Sequence, residues 1–176
     1  MSDYRRVFVP GGTYFFTLVT WNRRPLLATE ERVGLLRESF RRVREQRPFV
    51  LEAAVILPDH LHCILRLPAG DADYPGRWRE IKKRFSAQVD RDTNARHERL
   101  VWQRRYYEHA IRDEEDWRRH LDYLHYNPVK HGLVGRVRDW PWSSFGRGVE
   151  RGWYDVDWGR QAPEDLRSLE PGEWVE

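Results

Sequence analysis

Two apolar segments separated by only two residues constrain the fold of this chain more than any other feature. Residues 49–57 and 60–67 are rich in aliphatic side chains, and a Pro-Asp pair at 58–59 stands between them. A connection this short joins neighbouring antiparallel strands, so the pattern predicts a β-hairpin. Alternate side chains of a strand share one face, so His60 and His62 are predicted to point the same way, just after the turn.

Two imidazoles on one face of a strand are open to two interpretations. They can ligate a metal ion together, or they can be an ordinary hydrogen-bonded pair at a strand end. Cys63 follows them directly and is the single cysteine of the chain. One cysteine excludes an internal disulfide and a cysteine-based zinc site, so we expect Cys63 to be a buried structural residue beside the dyad.

Helix and strand patterns alternate on both sides of this hairpin. Residues 13–21 are β-branched and aromatic throughout, which predicts a central strand. Thr29 is the predicted N-cap of an amphipathic helix that runs to about Gln46. Apolar residues three and four positions apart predict a second helix over residues 76–91, and residues 92–99 are predicted to be a loop.

The next part of the chain supplies a further strand region and a third helix. Residues 101–111 alternate well enough for one or two strands with a bend near Arg104. Acidic residues at 113–116 open a helix that Pro128 is expected to end or kink near Asn127. The order β-α-β-β-α-β-(β)-α predicts a ferredoxin-like α+β sandwich, with an antiparallel sheet of four or five strands and two helices on one face.

The charge of the chain is unevenly distributed. The 176 residues carry a net charge of +3, but residues 147–176 hold four Arg and eight acidic residues, which leaves +7 for residues 1–146. All but three of the basic residues are Arg, and 14% of the chain is aromatic. A basic, aromatic body suits single-stranded nucleic acid, although an Arg-rich genome produces the same composition. We found no secretory signal and no apolar run near the roughly 18 residues of a membrane helix, so we expect a cytoplasmic protein without membrane contact.

The third predicted helix carries two separate stripes when it is projected at about 100° per residue. The apolar stripe predicted to face the core contains Trp117, Leu121 and Leu124. A stripe roughly 90° away, predicted to border the core without joining it, contains His120, Tyr123 and Asn127. Tyr126 lies nearly opposite the core stripe and is predicted to be exposed.

Tyr123 is open to a structural and a chemical interpretation. It can be a boundary tyrosine with a packed ring and a hydrated hydroxyl. Alternatively, its hydroxyl can attack a phosphodiester, provided that a cation neutralises the phosphate oxygens. The dyad would supply two ligands to that cation, and Asn127 could supply an oxygen.

With these residues in place, the chain resembles the HUH (His–hydrophobic–His) single-tyrosine transposases, and more closely the REP-associated tyrosine transposases. The matching segments follow the family order and are residues 10–17 (PGGTYFFT), 57–62 (LPDHLH), 101–103 (VWQ), 123–134 (YLHYNPVKHGLV) and 139–145 (DWPWSSF). The resemblance covers about residues 4–146, whereas the acidic tail at 147–176 matches nothing in the family. Position 57 departs from the family pattern, which more often has Met there, but Leu57 keeps the apolar character.

The resemblance implies a catalytic domain over residues 1–146 that binds Mg²⁺ or Mn²⁺ and cleaves and rejoins single-stranded DNA at hairpins. Cleavage would leave a 5′-phosphotyrosine on Tyr123 and a free 3′-hydroxyl, with His60 and His62 as metal ligands. Asn127 stands where the wider class has a polar residue one turn after the tyrosine. Two imidazoles favour Zn²⁺ in a tight site, but a weakly held, hydrated Mg²⁺ or Mn²⁺ suits an open site that admits phosphate.

The same resemblance implies a surface for hairpin DNA and a place of action at the nucleoid. We expect the DNA to lie across eight basic residues: Arg5, Arg6, Lys82, Lys83, Arg84, Arg104, Arg105 and Lys130. His120, one turn before the tyrosine, is a candidate general base, with a plain surface histidine as the alternative. The oligomeric state stays open between a monomer and a homodimer that exchanges the tyrosine helix.

Two other functions remain possible at this point. One is a domesticated protein that binds hairpin DNA without turnover. The other is a zinc hydrolase, which needs a third strong ligand and an acidic base near the dyad. Asp59 is the nearest candidate for that base.

Overall fold

A four-stranded antiparallel sheet is the framework of the chain, seen in a computed structural model that describes residues 5–89, 100–164 and 166. Its strands are β1 (Thr13–Val19), β2 (Val50–Ile56), β3 (His60–Arg66) and β4 (Tyr107–Ala110), in the spatial order β2-β3-β1-β4. Strands β2 and β3 form the predicted hairpin, and the predicted ferredoxin-like α+β sandwich is confirmed. The loop predicted at residues 92–99 lies outside the described residues.

The helices of the described residues are α1 (Glu30–Gln46), α2 (Tyr74–Val89), α3 (Glu114–Lys130) and the short α4 (Phe145–Glu150), with single 3₁₀ turns at Trp21–Arg23 and Val137–Asp139. The predicted cap of α1 is confirmed, since the Arg32 N–H donates to Thr29 Oγ1 at 3.2 Å. Asp113 caps α3 in the same way, because its Oδ1 accepts the Asp116 N–H at 2.8 Å.

Each face of the sheet supports its own apolar core. Helices α1 and α2 pack on one face, where Phe16, Cys63 and Leu65 are buried. Helix α3 covers the other face, where Phe15 and Ile64 are buried. The predicted pair of helices on one face and the burial of Cys63 are both confirmed. Cys63 belongs to the face opposite the histidines, so the thiol is not beside the dyad as predicted.

The pairing of β1 with β3 decides what surrounds the dyad. His60 is opposite Val19 and His62 is opposite Thr17 in the antiparallel ladder. Side chains that are opposite one another in a ladder share a face, so both histidines lie on the face that α3 covers. The strand that carries the two histidines and the helix that carries Tyr123 therefore pack together on one side of the sheet.

The prediction that α3 ends or kinks near Asn127 was wrong about its end, because the helix continues to Lys130. A proline removes only its own N–H bond, and the stop comes from a glycine cap further on. The Gly132 N–H donates to the Val129 carbonyl and the Leu133 N–H to the Pro128 carbonyl, both at 2.9 Å. Gly132 has φ +69°, the left-handed conformation that this cap requires.

Burial along α3 also differs from the prediction. Tyr126 was predicted to be exposed but is half-buried, and its ring meets Trp158 edge-on at 6.4 Å. Tyr123 and Asn127 were expected to border the core, yet they are only 4% and 0% exposed. Tyr123 faces the sheet, where its ring contacts Phe15 and His62, whereas Tyr126 lies on the other side of the helix, which the chain after residue 147 covers.

The chain after the tyrosine helix packs into the second core. Phe145 starts the short helix α4, and the Trp140 indole N–H donates to the Ile56 carbonyl at 2.9 Å. Tyr154 is 6% exposed, and its hydroxyl donates to Asp122 Oδ1 at 2.7 Å. Residues on both sides of position 147, such as Phe145 and Tyr154, therefore pack in the same apolar core.

The region predicted as one or two strands at 101–111 contains a single strand, β4, preceded by an isolated bridge between Thr20 and Trp102. Within the described part of the chain, we find no helix whose length and apolar character would suit a membrane span.

Candidate active site

His60 is held by a carboxylate next to it in the sequence. Its Nδ1–H donates to Asp59 Oδ1 at 2.6 Å, and the Arg23 guanidinium lies 3.2 Å from the other carboxylate oxygen. Burial would raise the pKa of Asp59, but the bond from His60 and the charge of Arg23 outweigh it and lower the pKa to about 2. Asp59 is thus a carboxylate that fixes the His60 ring and leaves Nε2 as the nitrogen available to a ligand.

His62 is held by its strand partner. Its Nδ1 lies 2.8 Å from Thr17 Oγ1, which fixes the ring, while its Nε2 is buried and has no hydrogen-bond partner among the described residues. Burial and the charges of His60 and His131 lower the pKa of His62 well below its ordinary value, so the ring is neutral at pH 7. In the tautomer with Nδ1–H donated to Thr17, the buried Nε2 presents a lone pair.

Tyr123 meets the dyad within the same chain. Its ring lies edge-on to His62, with centroids 5.3 Å apart and an interplanar angle of 70°. The ring of Phe15 supports it on another side at 6.0 Å, and Lys130 Nζ lies 5.1 Å from its centroid. Strand β3 and helix α3 therefore bring one tyrosine, two histidines and one ammonium group together.

Asn127, one turn after the tyrosine, is fully buried beside this group. Neither its amide oxygen nor its amide nitrogen has a hydrogen-bond partner among the described residues. It is close enough to His62 to oppose the fall in that residue's pKa, although no hydrogen bond of good geometry joins the two. Buried polar atoms without partners are rare, so Asn127 and His62 Nε2 together indicate a polar partner that the protein itself does not supply.

The residues around the dyad therefore fit a small divalent cation. Two imidazole nitrogens and an amide oxygen are suitable donors for such an ion. Second-sphere bonds from Asp59 and Thr17 orient the two rings, as is usual for ligating histidines. Sequence reasoning missed Thr17, because its role depends on the register of β1 against β3.

A second group of possible metal ligands lies further along the same face. His109 of β4 and Asp116 and His120 of α3 each offer one ligand atom, and these atoms lie within 4.8 Å of one another. Sequence analysis did not find this group, because no motif links β4 to the first turns of α3. His109 and His120 stack with centroids 4.4 Å apart and planes only 16° apart.

The second group is already satisfied by hydrogen bonds. Asp116 Oδ2 accepts from His109 Nε2 at 2.8 Å and from the Arg112 N–H at 3.0 Å, and none of the group's buried side-chain nitrogens and oxygens lacks a partner. Imidazole lone pairs lie in the ring plane, so two nearly parallel stacked rings direct them poorly towards one ion. We therefore interpret the second group as a brace for α3, whereas the unpartnered Nε2 of His62 makes the dyad the better candidate for a cation site.

His120, the candidate base, belongs to this brace. Its Nδ1–H donates to the Asp116 carbonyl at 2.7 Å, and burial lowers its pKa to about 4. The ring also contacts Phe15 at 4.9 Å, and Phe15 in turn stacks on His62 at 5.4 Å. His120 is therefore a neutral, weakly basic ring that is connected to the dyad through one phenylalanine.

The eight basic residues predicted to contact DNA fall into different environments. Arg6 pairs with the buried Glu108 at 3.1 Å and lies over the Tyr106 ring at 4.3 Å. Lys82 donates to the Gln103 carbonyl at 2.8 Å, and burial lowers its pKa to about 8. These two basic side chains are therefore already engaged in contacts within the protein.

The other predicted basic residues are more available to a ligand. Arg5, Lys83, Arg104, Arg105 and Lys130 are exposed. Arg84 is half-buried, with a long contact of 3.4 Å to Gln46. Arg23 was missed by the sequence analysis, although it lies beside Asp59 in a turn where it and Asn22 both have positive φ. Such backbone conformations are concentrated at functional sites, so we add Arg23 to the basic residues that are candidates for contacting DNA.

Comparisons with known proteins point in one direction. Residues 9–127 match the family model described as "Transposase IS200 like". The chain is 49% identical to a REP-associated tyrosine transposase of Escherichia coli (strain K12), over 90% of this chain and 91% of the relative. It is also similar to a solved structure of a REP-associated tyrosine transposase bound to a REP hairpin, with 47% identity, a TM-score of 0.81, and coverage of 93% of this chain and 94% of the other.

Proposed function

This chain belongs to the REP-associated tyrosine transposases of the IS200-like family, and from that premise we propose that it cleaves and rejoins single-stranded DNA at hairpins through a covalent bond to Tyr123. The observation that carries the proposal is the contact between the Tyr123 ring and His62 within one chain. A nucleophile and two metal-ligating side chains of the same subunit are then adjacent.

The proposed reaction is a transesterification. The Tyr123 hydroxyl oxygen attacks the phosphorus, a new P–O bond forms, and the bond to the 3′-oxygen of the upstream nucleotide breaks. The tyrosine loses its proton, and the departing oxygen gains one to become a 3′-hydroxyl. The phosphotyrosine keeps the energy of the phosphodiester, so the reverse step with a new 3′-hydroxyl rejoins DNA without ATP.

In this proposal, each residue of the site has its own role. His60 and His62 would hold Mg²⁺ or Mn²⁺ through their Nε2 atoms, and Asn127 would add its amide oxygen. A divalent ion held there would neutralise phosphate oxygens and favour ionisation of a nearby hydroxyl. Asp59 and Thr17 keep the two imidazoles in the ligating orientation, and Lys130 places a positive charge beside the tyrosine ring.

The proposal extends to the partner and the assembly. The solved relative is bound to a REP hairpin, and this chain's exposed arginines and Lys83 are suited to phosphate contacts with a similar hairpin. A tyrosine that meets its dyad within one chain supports activity as a monomer, without exchange of the tyrosine helix in a homodimer. Action on chromosomal hairpins would place the protein at the nucleoid.

The decisive experiment incubates the protein with a labelled hairpin oligonucleotide carrying single-stranded flanks, in the presence of Mn²⁺. We expect a protein–DNA adduct that survives denaturation and is absent from Tyr123→Phe. Tight binding without any adduct would instead favour a domesticated binding protein. Cleavage that persists in Tyr123→Phe would favour a hydrolase with bound zinc, for which metal analysis of the purified protein is the direct check.

A further inference from the structure

A cavity that the proposed chemistry does not use lies between α1 and the edge strand β2. It has a volume of about 360 Å³, and Trp142 and Ser144 of the segment before α4 line it as well. The side chains of its floor are apolar and come from α1, β2 and β3, among them Leu36, Phe40, Ile56 and Leu61. A volume of this size accommodates a small organic ligand or one nucleotide.

Strand β3 separates this α1–β2 cavity from the candidate active site. Leu61 lines the cavity, whereas His60 and His62 on either side of it point to the face that α3 covers. A ligand in the cavity would therefore lie on the reverse side of the dyad strand. It would not touch Tyr123, which belongs to the other core.

Exposed arginines surround the cavity. Arg37, Arg41 and Arg44 follow one another on the same side of α1, and Arg147 of α4 completes the set. Arg41 is paired with two glutamates of its own helix. Within the described residues, no carboxylate pairs with Arg37, Arg44 or Arg147. Guanidinium groups of this kind beside an apolar cavity favour an anionic ligand with an apolar body.

An aromatic ring beside the arginines indicates the nature of that apolar body. The Arg37 guanidinium lies over the Trp142 ring, 6.0 Å from its centroid, and the Trp142 side chain is half-buried. The Trp142 carbonyl accepts the Ile56 N–H at 2.8 Å, so strand β2 fixes the backbone of this residue. Nucleobases stack on such rings while basic side chains hold the neighbouring phosphates.

The arrangement of the arginines favours a nucleotide within a DNA strand over a free nucleotide. From Arg37 to Arg44 the row extends about 10 Å along α1, which is longer than one phosphate group. The row also adjoins the predicted DNA surface, because Arg84 of α2 contacts Gln46 at 3.4 Å, two residues beyond Arg44. A strand bound to the predicted surface can therefore continue along α1 to the cavity.

We propose that the α1–β2 cavity binds one unpaired nucleotide of the DNA strand, with its base against Trp142 and its flanking phosphates on Arg44 and Arg147. The inference rests on the proposed function for DNA as the ligand, but it requires neither a cation nor a covalent bond. Because the cavity lies on the face opposite Tyr123, the nucleotide held there is not the one that is cleaved. The cavity would therefore contribute to recognition of the strand.

The test measures DNA binding by Tyr123→Phe in EDTA, so its outcome is separate from that of the adduct experiment. Fluorescence anisotropy gives the affinities for hairpin oligonucleotides with single-stranded flanks, each with an abasic residue at a different unpaired position. Oligonucleotides with 5-iodouracil at the same positions are then crosslinked to aromatic side chains in ultraviolet light, and the linked peptide is identified by mass spectrometry. Trp142→Ala and Arg44→Ala are added to this protein in turn. Arg42→Ala is the matched control, because Arg42 is exposed on the same helix but pairs with Glu38 outside the cavity.

We expect an abasic residue at one unpaired position to weaken binding about 5–150-fold, the contribution of one stacked base. Iodouracil at that position should crosslink to the peptide that contains Trp142. Trp142→Ala should weaken binding of the intact hairpin by a similar factor, and removal of the same base should then weaken it little further. Arg44→Ala should lower the slope of log K against log salt by about one unit, whereas Arg42→Ala should bind within about twofold of its parent.

Three results would overturn the proposal. They are equal affinities throughout the abasic series, a Trp142→Ala effect that adds fully to the loss of the base, and crosslinks confined to peptides without a residue of the cavity. The abasic series and the crosslinks leave the cavity unaltered, so they decide the question even if Trp142→Ala fails to fold. Circular dichroism melting checks the folding of each variant.

Discussion

The ring of Tyr123 lies edge-on to the ring of His62 at 5.3 Å, and both residues belong to one chain. His62 is fixed from β1 by Thr17, and Tyr123 is fixed from the same strand by Phe15. The central strand therefore sets the distance between the proposed nucleophile and the proposed metal ligand. A subunit with this arrangement needs no residue from a second copy to bring the two together.

Asp59 should control metal affinity without touching the ion. Asp59→Asn replaces the carboxylate that accepts the His60 Nδ1–H at 2.6 Å, so the His60 ring loses its charged anchor and some basicity. We expect Mn²⁺ affinity to fall about 10–100-fold, measured by isothermal titration. Asp157→Asn is a suitable control, because Asp157 pairs with Arg138 and Arg160 on the surface. Equal affinities for both variants would contradict the role given to Asp59.

The brace at His120 should make the fold sensitive to acid. Burial lowers the folded-state pKa of His120 to about 4, below the 6.5 of an unfolded chain. The unfolded state therefore takes up a proton first as the pH falls, and stability is lost between about pH 6.5 and 4. From pH 7 to pH 5 this one group accounts for at most about 2 kcal/mol.

Urea denaturation at pH 7 and pH 5 tests this dependence. His120→Gln removes the titrating ring but keeps an amide that can donate to the Asp116 carbonyl. We expect the loss of unfolding free energy between the two pH values to be smaller in the variant than in the wild type. The same loss in both proteins would show that His120 titrates normally in the folded state.

The sequence was most informative where the signal is local. The hairpin around residues 58–59, the Thr29 cap and the shared face of His60 and His62 all follow from neighbouring residues. The contact between Thr17 and His62 does not, because it depends on the register between β1 and β3.

Helix α3 shows why the remaining differences arose. Pro128 predicts a helix end near Asn127, whereas Gly132 four residues later forms the actual cap. Tyr126 was predicted to be exposed because it lies nearly opposite the apolar stripe, but Trp158 of the chain after 147 covers that side of the helix. The group of His109, Asp116 and His120 was not predicted, because it joins two elements through tertiary packing alone.

Tyr154 should contribute strongly to stability if the chain after 147 shares the second core. Its ring packs against Phe145 at 5.1 Å and Trp158 at 4.7 Å, so Tyr154→Ala leaves a cavity. We expect a loss of about 3–5 kcal/mol in unfolding free energy, measured by urea denaturation. Val156→Ala, at a position 48% exposed, should change stability by less than about 0.5 kcal/mol. Similar small effects for both would mean that this segment packs loosely.

Substitutions should divide the basic residues into those that affect only DNA binding and those that also affect the stability of the fold. Arg105→Ala removes an exposed charge, so the slope of log K against log salt should fall by about one unit for hairpin DNA, with little change in stability. Arg6→Ala leaves the buried Glu108 without its ion-pair partner, and should also cost about 1–3 kcal/mol of stability. Salt titrations of DNA binding and urea denaturation, run on both variants, distinguish the classes. A stable Arg6→Ala protein would contradict the structural role of that residue.

The central claim is that Tyr123 forms the covalent bond to DNA. The most direct measurement is mass spectrometry of the protease-digested adduct formed from a hairpin oligonucleotide and Mn²⁺, together with end analysis of the released strand. We predict that the peptide containing Tyr123 carries the downstream strand through its 5′-phosphate, and that the upstream strand ends in a 3′-hydroxyl. A bond to any other residue, a linkage through a 3′-phosphate, or cleaved DNA without a linked peptide would contradict the account.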